Sequence, residues 1–305
     1  MISIIIPTCN ARDHINGLLL SLKRPPGPYE ILVIDSSSSD DTVEIARAQG
    51  AKVVEIEGHL FDHGGTRTLA GKMAGGEFLV YLTQDAQPEN EHSIESLIKP
   101  LREDKEIGAS YGRQLAYPGS SPLCEHLRLF NYPPESCLKS KNDKEKWGIK
   151  TVMFSNAFSA YRREALEEIG WFKENLIICE DTDASARLLR AGYKIAYLAE
   201  AKVYHSHDYS IGREFKRYFD IGVFHEKEKW ILQEFGKAEG EGIKYIRSEL
   251  TFLLDRGKLH LIPEALIRNL MKFVGYRLGR NHELFPRKFN RILSMHQKWW
   301  DRFDG

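Results

Sequence analysis

Cysteine is scarce in this chain, and its four residues, Cys9, Cys124, Cys137 and Cys179, are scattered with no CxxC pair. That usage suits a reducing compartment better than a disulfide framework or a zinc site. An excess of one charge is also lacking. The 43 lysines and arginines balance 43 aspartates and glutamates, which argues against nucleic-acid binding over the whole surface. Long apolar runs are missing: none approaches the roughly 20 residues that span a bilayer. The opening MISIIIPTCN is apolar but lacks the basic start, the length and the small-residue cleavage site of a secretory signal. A cytoplasmic protein is expected, free or resting on the inner face of the membrane. There is no low-complexity segment and no repeat of about 20–50 residues. With 305 residues, 42% of them hydrophobic, the chain has room for one large domain with an appendage, or for two.

What is present is a βαβα rhythm. Strands are expected at Ile2–Ile6, Glu30–Ile34, Lys52–Ile56 and Phe78–Leu82. Helical patterns lie between and after them at Arg12–Lys23, Asp41–Gln49, Thr66–Ala74 and Ile94–Arg102. Such alternation implies right-handed crossovers and a mostly parallel sheet flanked by helices. From Leu115 to Lys150 the pattern fails in a stretch rich in proline, serine and charge, and a long functional or mobile loop is expected there. After Ser210 strands disappear, so residues 1–210 are expected as an α/β catalytic domain and residues 211–305 as a helical C-terminal region.

Candidate chemistry gathers at the expected strand ends, where open α/β sheets bind ligands. FLVYL runs straight into Thr83, Gln84 and Asp85, an acid that either caps a turn or binds something. Asp35 closes the second strand and is either a cap or a hydrogen-bond acceptor for a base or ribose. In FDHGGTRT, Gly64 and Gly65 would let backbone approach a ligand at a helix N-terminus, and Arg67 sits on the wrong side of the helix dipole for stability. Glu180 and Asp181, with Asp183 close by, open a helix. They are a well-charged N-terminus, or one of them is a general base. In VYHSHDYS an extended backbone would place His205 and His207 on one face. With Asp85 they would offer oxygen and nitrogen donors suited to Mn²⁺ or Mg²⁺. Each signal has a structural explanation; their convergence on one sheet edge favours a ligand site.

The series SIIIPTCN, ILVIDSSSSDDT, HGGTR, LTQDA, CEDTDASARLLRAGY and HSHDYS resembles the family 2 glycosyltransferases of GT-A fold. FDHGGTRT, VYLTQDAQP, YGRQL, FNYP and FSAYRRE are similar to their bacterial rhamnosyltransferase branch, and the resemblance runs from Ile2 to Gly222. It implies a metal-dependent inverting transferase using a nucleotide-sugar, dTDP-L-rhamnose in that branch, and a saccharide acceptor of surface polysaccharide synthesis. Thr83-Gln84-Asp85 would occupy the place of the family's Asp-x-Asp motif, with Asp85 on the metal and Thr83 replacing the first acid. His205 or His207 would supply a further metal ligand. Thr8, Asp35 and Arg67 map onto nucleotide contacts, Asp181 onto the catalytic base, and Glu180 beside it would orient the acceptor or support the base. The segments 115–150 and 155–163 would build the acceptor side. A UDP-hexose donor, a sugar-phosphate nucleotidyltransferase and a catalytically silent nucleotide-sugar-binding module are the competing readings.

The balanced total charge hides a basic end between Arg256 and Arg302, opposed by Glu264, Glu283, Asp301 and Asp304. Leu266, Leu270, Phe273 and Val274 mark one apolar face, and Phe289, Ile292, Leu293 and the Trp299-Trp300 pair mark another. Such faces pack on the catalytic domain, form a homodimer contact, or lie on a membrane carrying a lipid-linked acceptor, with tryptophans at headgroup level.

Overall fold

A computed structural model of the chain describes residues 1–22, 28–236 and 239–302. Nine strands form one sheet: β1 (Ile2–Thr8), β2 (Tyr29–Asp35), β3 (Lys52–Glu55), β4 (Phe78–Leu82), β5 (Gln87–Pro88), β6 (Ile107–Leu115), β7 (Cys137–Lys139), β8 (Phe158–Arg162) and β9 (Lys194–Tyr204). Their order is β3-β2-β1-β4-β8-β6-β9-β5, with β7 also paired to β9. The half from β3 to β4 is wholly parallel. Beyond it β8 runs antiparallel to both β4 and β6. That reversal has a chemical consequence. The start of β8 lies at the carboxyl end of β4, with Leu82 opposite Phe158, so residues preceding β8 reach the ligand edge of the sheet.

Helices α1 (Arg12–Ser21), α2 (Thr42–Ala48), α3 (His63–Met73) and α4 (Ser93–Glu103) alternate with the first strands as the periodicity predicts. The expected end of the first helix at Lys23 lies outside the described residues. The long loop expected from Leu115 to Lys150 is instead largely built. It holds α5 (Pro122–Asn131), β7 and the short α6 (Lys144–Trp147). Ser121 caps α5 by accepting the Cys124 N–H at 3.2 Å, and Pro122 takes the first position, where its missing N–H costs nothing. The proline that reads as loop in isolation is a helix start.

After α7 (Arg163–Glu168), α8 (Glu180–Arg190) and β9, only helices follow: α9 (Ile211–Lys227), α10 (Lys229–Phe235), α11 (Glu239–Asp255), α12 (Ile262–Arg280), α13 (Arg287–Leu293) and α14 (Gln297–Arg302). Phe219, Val223, Phe224 and Trp300 from these helices share one apolar cluster with Tyr81, Tyr161 and Phe172 beneath the sheet. Burial of this continuous apolar surface is the main force joining the two parts. Among the described residues no helix is long and apolar enough to cross a membrane.

Of the placements open to the C-terminal faces, Trp300 takes packing against the sheet domain: it is only 7% exposed and shares an apolar cluster with Tyr81, while the Trp299 indole N–H donates to the Asn175 carbonyl at 3.0 Å. In α12 the face packed inward is Ala265, Asn269, Lys272, Gly275, Tyr276 and Gly279, while Leu266, Leu270 and Phe273 are exposed. The reason is close backbone approach. A Cβ on Gly279 would stand 2.0 Å from the Phe219 carbonyl oxygen, and one on Gly275 would stand 2.5 Å from that of Phe215. The small residues let α12 lie directly on α9.

Candidate active site

Asp85 leaves the end of β4, and His205 and His207 follow the end of β9. The His205 Nε2 lies 3.5 Å from one Asp85 carboxylate oxygen, and the His207 Nε2 lies 3.3 Å from the other. All three ligand atoms fall within 4.8 Å of one another, the one such cluster among the described residues. The rings of His205 and His207 meet edge to face at 4.9 Å, and His207 stacks on Tyr209 at 5.0 Å.

Hydrogen bonding determines what these imidazoles present. Arg128, which can only donate, gives a hydrogen bond to Gln114 Oε1 at 3.0 Å, and Gln114 Nε2 donates to Ser155 at 2.8 Å. Oε1 is therefore the acceptor for His205 Nδ1, 2.9 Å away, and the Nδ1 carries the proton. Burial depresses the His205 pKa to about 3 and lowers that of His207, so both rings are neutral near pH 7. His205 Nε2 then directs a lone pair at a carboxylate, acceptor against acceptor. A divalent cation between them removes that conflict, and Gln114 does for His205 what outer partners do for metal-bound histidines generally. The residues present fit a metal. Burial pushes the Asp85 carboxyl up, but the two histidines beside it outweigh that and leave its pKa lowered.

A second acidic site lies at the start of α8. Cys179, the residue before it, adopts a left-handed backbone with φ of 66°, a strained conformation of the sort found at functional positions. Glu180 meets Arg67 at 3.3 Å and accepts the Asn156 side-chain amide at 3.1 Å. Burial works to raise Glu180, yet Arg67, His63 and Asn156 prevail and hold its pKa below the usual value. Asp181 is the opposite case. Burial first, and then the Glu180 charge, push it up to about 6. The backbone N–H groups of Asn156, at 3.1 Å, and of Thr182, at 2.7 Å, fix its carboxylate. A half-buried carboxyl poised near neutrality can take a proton from a hydroxyl. Asp183 is committed elsewhere, to Arg187 at 2.7 Å.

Several expected ligand contacts turn out to have internal partners. Asp35 is fully buried and accepts hydrogen bonds from Thr8 at 2.7 Å and from the Ser38 N–H and hydroxyl at 2.8 and 2.6 Å. Gln84 holds both backbone groups of Cys9, joining the ends of β4 and β1. The Thr83 N–H donates to the Ala157 carbonyl at 3.3 Å. Gly64 and Gly65 are explained by chain packing: a Cβ on Gly64 would stand 2.0 Å from the Lys173 carbonyl oxygen. The Asp62 side chain caps α3 through the Gly65 N–H at 2.6 Å, which occupies a donor that an anion would need. Arg67 is paired with Glu180 at 3.3 Å. Gln114 lies in the YGRQL motif and Asn156 in the segment 155–163, but their orienting of the two acidic centres was not among the expectations.

Two cavities flank the centres. One of about 780 Å³ lies beyond the ends of β1 and β2, lined by Asn10, Ser36, Ser37 and His63 on one side and by the segment Met295–Trp299 on the other. A smaller one, of about 390 Å³, is lined by Gln114, Tyr117, Tyr132, Tyr204, Arg113 and Arg128.

The profile of glycosyl transferase family 2 matches residues 3–170, and that of glycosyl transferase family group 2 matches residues 145–233. The chain is 43% identical over 302 residues to the O-antigen chain rhamnosyltransferase WbaN of Salmonella anatum, covering 98% of this chain and 95% of that protein. It is also 43% identical over 303 residues to the O-antigen chain rhamnosyltransferase RfbN of Salmonella typhimurium, covering 98% and 96%. A solved mannosyltransferase of Pyrobaculum calidifontis, in complex with GDP-Man and Mn²⁺, aligns with a TM-score of 0.57 at 19% identity, over 98% of this chain and 84% of that one. At that identity the likeness concerns the fold alone.

Proposed function

The chain belongs to glycosyl transferase family 2, and from that premise we propose that it transfers L-rhamnose from dTDP-L-rhamnose to a saccharide acceptor of a bacterial O-antigen. Near full-length identity to two O-antigen rhamnosyltransferases supports the sugar and the product class. One observation carries the chemistry. Two carboxylates with opposite environments stand at one edge of the sheet: Asp85 faces two neutral imidazoles, and Asp181 is half-buried, oriented and raised to about 6.

Asp181 accepts the proton of the acceptor hydroxyl as that oxygen attacks the anomeric carbon. The bond from this carbon to the diphosphate oxygen breaks, and its electron pair leaves with the nucleoside diphosphate. Attack opposite the leaving group inverts the anomeric centre. Glu180, kept charged by Arg67, sustains the raised affinity of Asp181 for a proton. Asp85, His205 and His207 would hold a divalent cation, Mn²⁺ or Mg²⁺, which would neutralise charge on the departing diphosphate. The larger cavity takes the nucleotide-sugar. The smaller one, lined by three tyrosines and two arginines, takes the acceptor.

Calorimetric titration with dTDP-L-rhamnose, dTDP and UDP-hexoses in the presence of Mn²⁺ tests the donor. Preference for the dTDP compounds is expected. Binding of UDP-hexoses with none of dTDP or dTDP-L-rhamnose would replace rhamnose with a hexose as the sugar transferred.

A further inference from the structure

The 780 Å³ cavity is closed on one side by a part of the chain that the sequence marks only as a basic, aromatic tail. That segment is tied down at several points. The Asp220 carboxylate on α9 accepts the Met295 and His296 N–H groups at 2.9 and 3.1 Å. Arg302 donates to the Phe61 carbonyl, and Trp299 to the Asn175 carbonyl at 3.0 Å. His296 stands edge to face with His63, ring centres 5.1 Å apart, which brings the tail against the first turn of α3. On the opposite wall the exits of β1 and β2 each carry a left-handed residue, Asn10 at φ 50° and Ser37 at φ 58°.

The wall chemistry is specific. Phe61, His63, His296 and Trp299 supply ring surfaces, and His296 is uncharged because burial depresses its pKa to about 3. Lys298 supplies the positive charge. It is exposed on the cavity lining, its charge is felt at Cys9 across the cavity, and among the described residues it makes no hydrogen bond or ion pair. A cation held over a cavity of this size, with rings around it, suits a planar base joined to phosphates.

We propose that the segment Met295–Arg302 is the outer wall of the donor site, and that Lys298 contacts the phosphates of the bound nucleoside diphosphate. The inference rests on the donor reading above and adds to it. The tail then belongs to the binding site, and Asp220 positions it by holding the turn that leads into α14.

The test is calorimetric titration of the full chain, in the presence of Mn²⁺, with dTDP, UDP and GDP, and with thymidine as a phosphate-free probe. Lys298→Ala should weaken the tightest diphosphate about tenfold, the size expected for losing one charge-assisted contact, and Lys298→Glu should weaken it further. Thymidine binding and the unfolding temperature should stay at wild-type values, since Lys298 has no structural partner to lose. If wild type binds a diphosphate and both variants bind it equally well, the wall proposal is overturned while the donor reading stands. Failure of wild type to bind any of the three diphosphates would overturn the donor reading, and the wall proposal with it.

Discussion

Arg67 and Glu180 are each about 7% exposed in their side chains and lie 3.3 Å apart, so neither can be removed alone without stranding a buried charge. Arg67→Ala should therefore destabilise the fold by about 3–5 kcal/mol, whereas an arginine serving only a ligand would leave stability near wild type. Chemical denaturation measures the difference. Gln114 is the positioning residue of the proposed metal site, because its oxygen holds the proton on His205 Nδ1. Gln114→Ala should weaken Mn²⁺ binding about ten- to a hundredfold, read by paramagnetic resonance of free Mn²⁺; unchanged affinity would remove Gln114 from that role. Asp85, His205 and His207 were legible in the sequence because each lies within three residues of the end of an apolar strand. The partners of Gln114 and Asn156 were not. Gln114 lies 91 residues from His205 and Asn156 lies 24 from Glu180, so only folding makes them neighbours. Arg67 stands out in the sequence as an anomaly on its helix, and folding pairs it with Glu180, 113 positions further along the chain.

At the level of elements, α12 separates pattern from packing. Its sequence carries an apolar stripe, yet the surface laid on α9 is the one with Gly275 and Gly279. Close helix approach needs small side chains where the axes meet, and interiors tolerate little added volume. Gly279→Ala should consequently lower the thermal midpoint more than Phe273→Ser, which alters an exposed position and should stay within about 0.5 kcal/mol. The reverse order would mean that Phe273 is covered in solution. Strands β1 to β4 and their helices were readable because period-two and period-3.6 patterns alternate cleanly there. The antiparallel insertion of β8 was hidden, since a buried strand reads alike in either direction. So was α5, whose cap and first-turn proline look like loop composition.

Over the whole molecule, the tail returns to the first strands, with Arg302 bonded to carbonyls of Gly58 and Phe61. Asp220 secures that closure at an electrostatic cost, because burial raises its pKa to about 7. A carboxyl whose folded pKa lies above its unfolded value contributes stability that is full at acidic pH and lost as pH rises through about 7. Asp220→Asn keeps an oxygen for both N–H groups but carries no charge. Its unfolding temperature relative to wild type should therefore rise between pH 6 and pH 8.5; an offset independent of pH would mean that Asp220 does not titrate there. Membership of a glycosyltransferase family sets aside the nucleotidyltransferase reading, and the division of labour between the two acidic centres is the claim that remains to be measured. The most direct measurement is the pH dependence of kcat/KM for transfer. Asp181 acts as base only when ionised, so the rate should climb through a pKa of about 6 to a plateau in wild type. Glu180→Gln removes the charge that raises Asp181 and should move the climb to lower pH. Asp181→Asn should lower kcat by about 10²–10⁴-fold and abolish the climb. A profile that keeps its rise near pH 6 in Asp181→Asn would contradict the account.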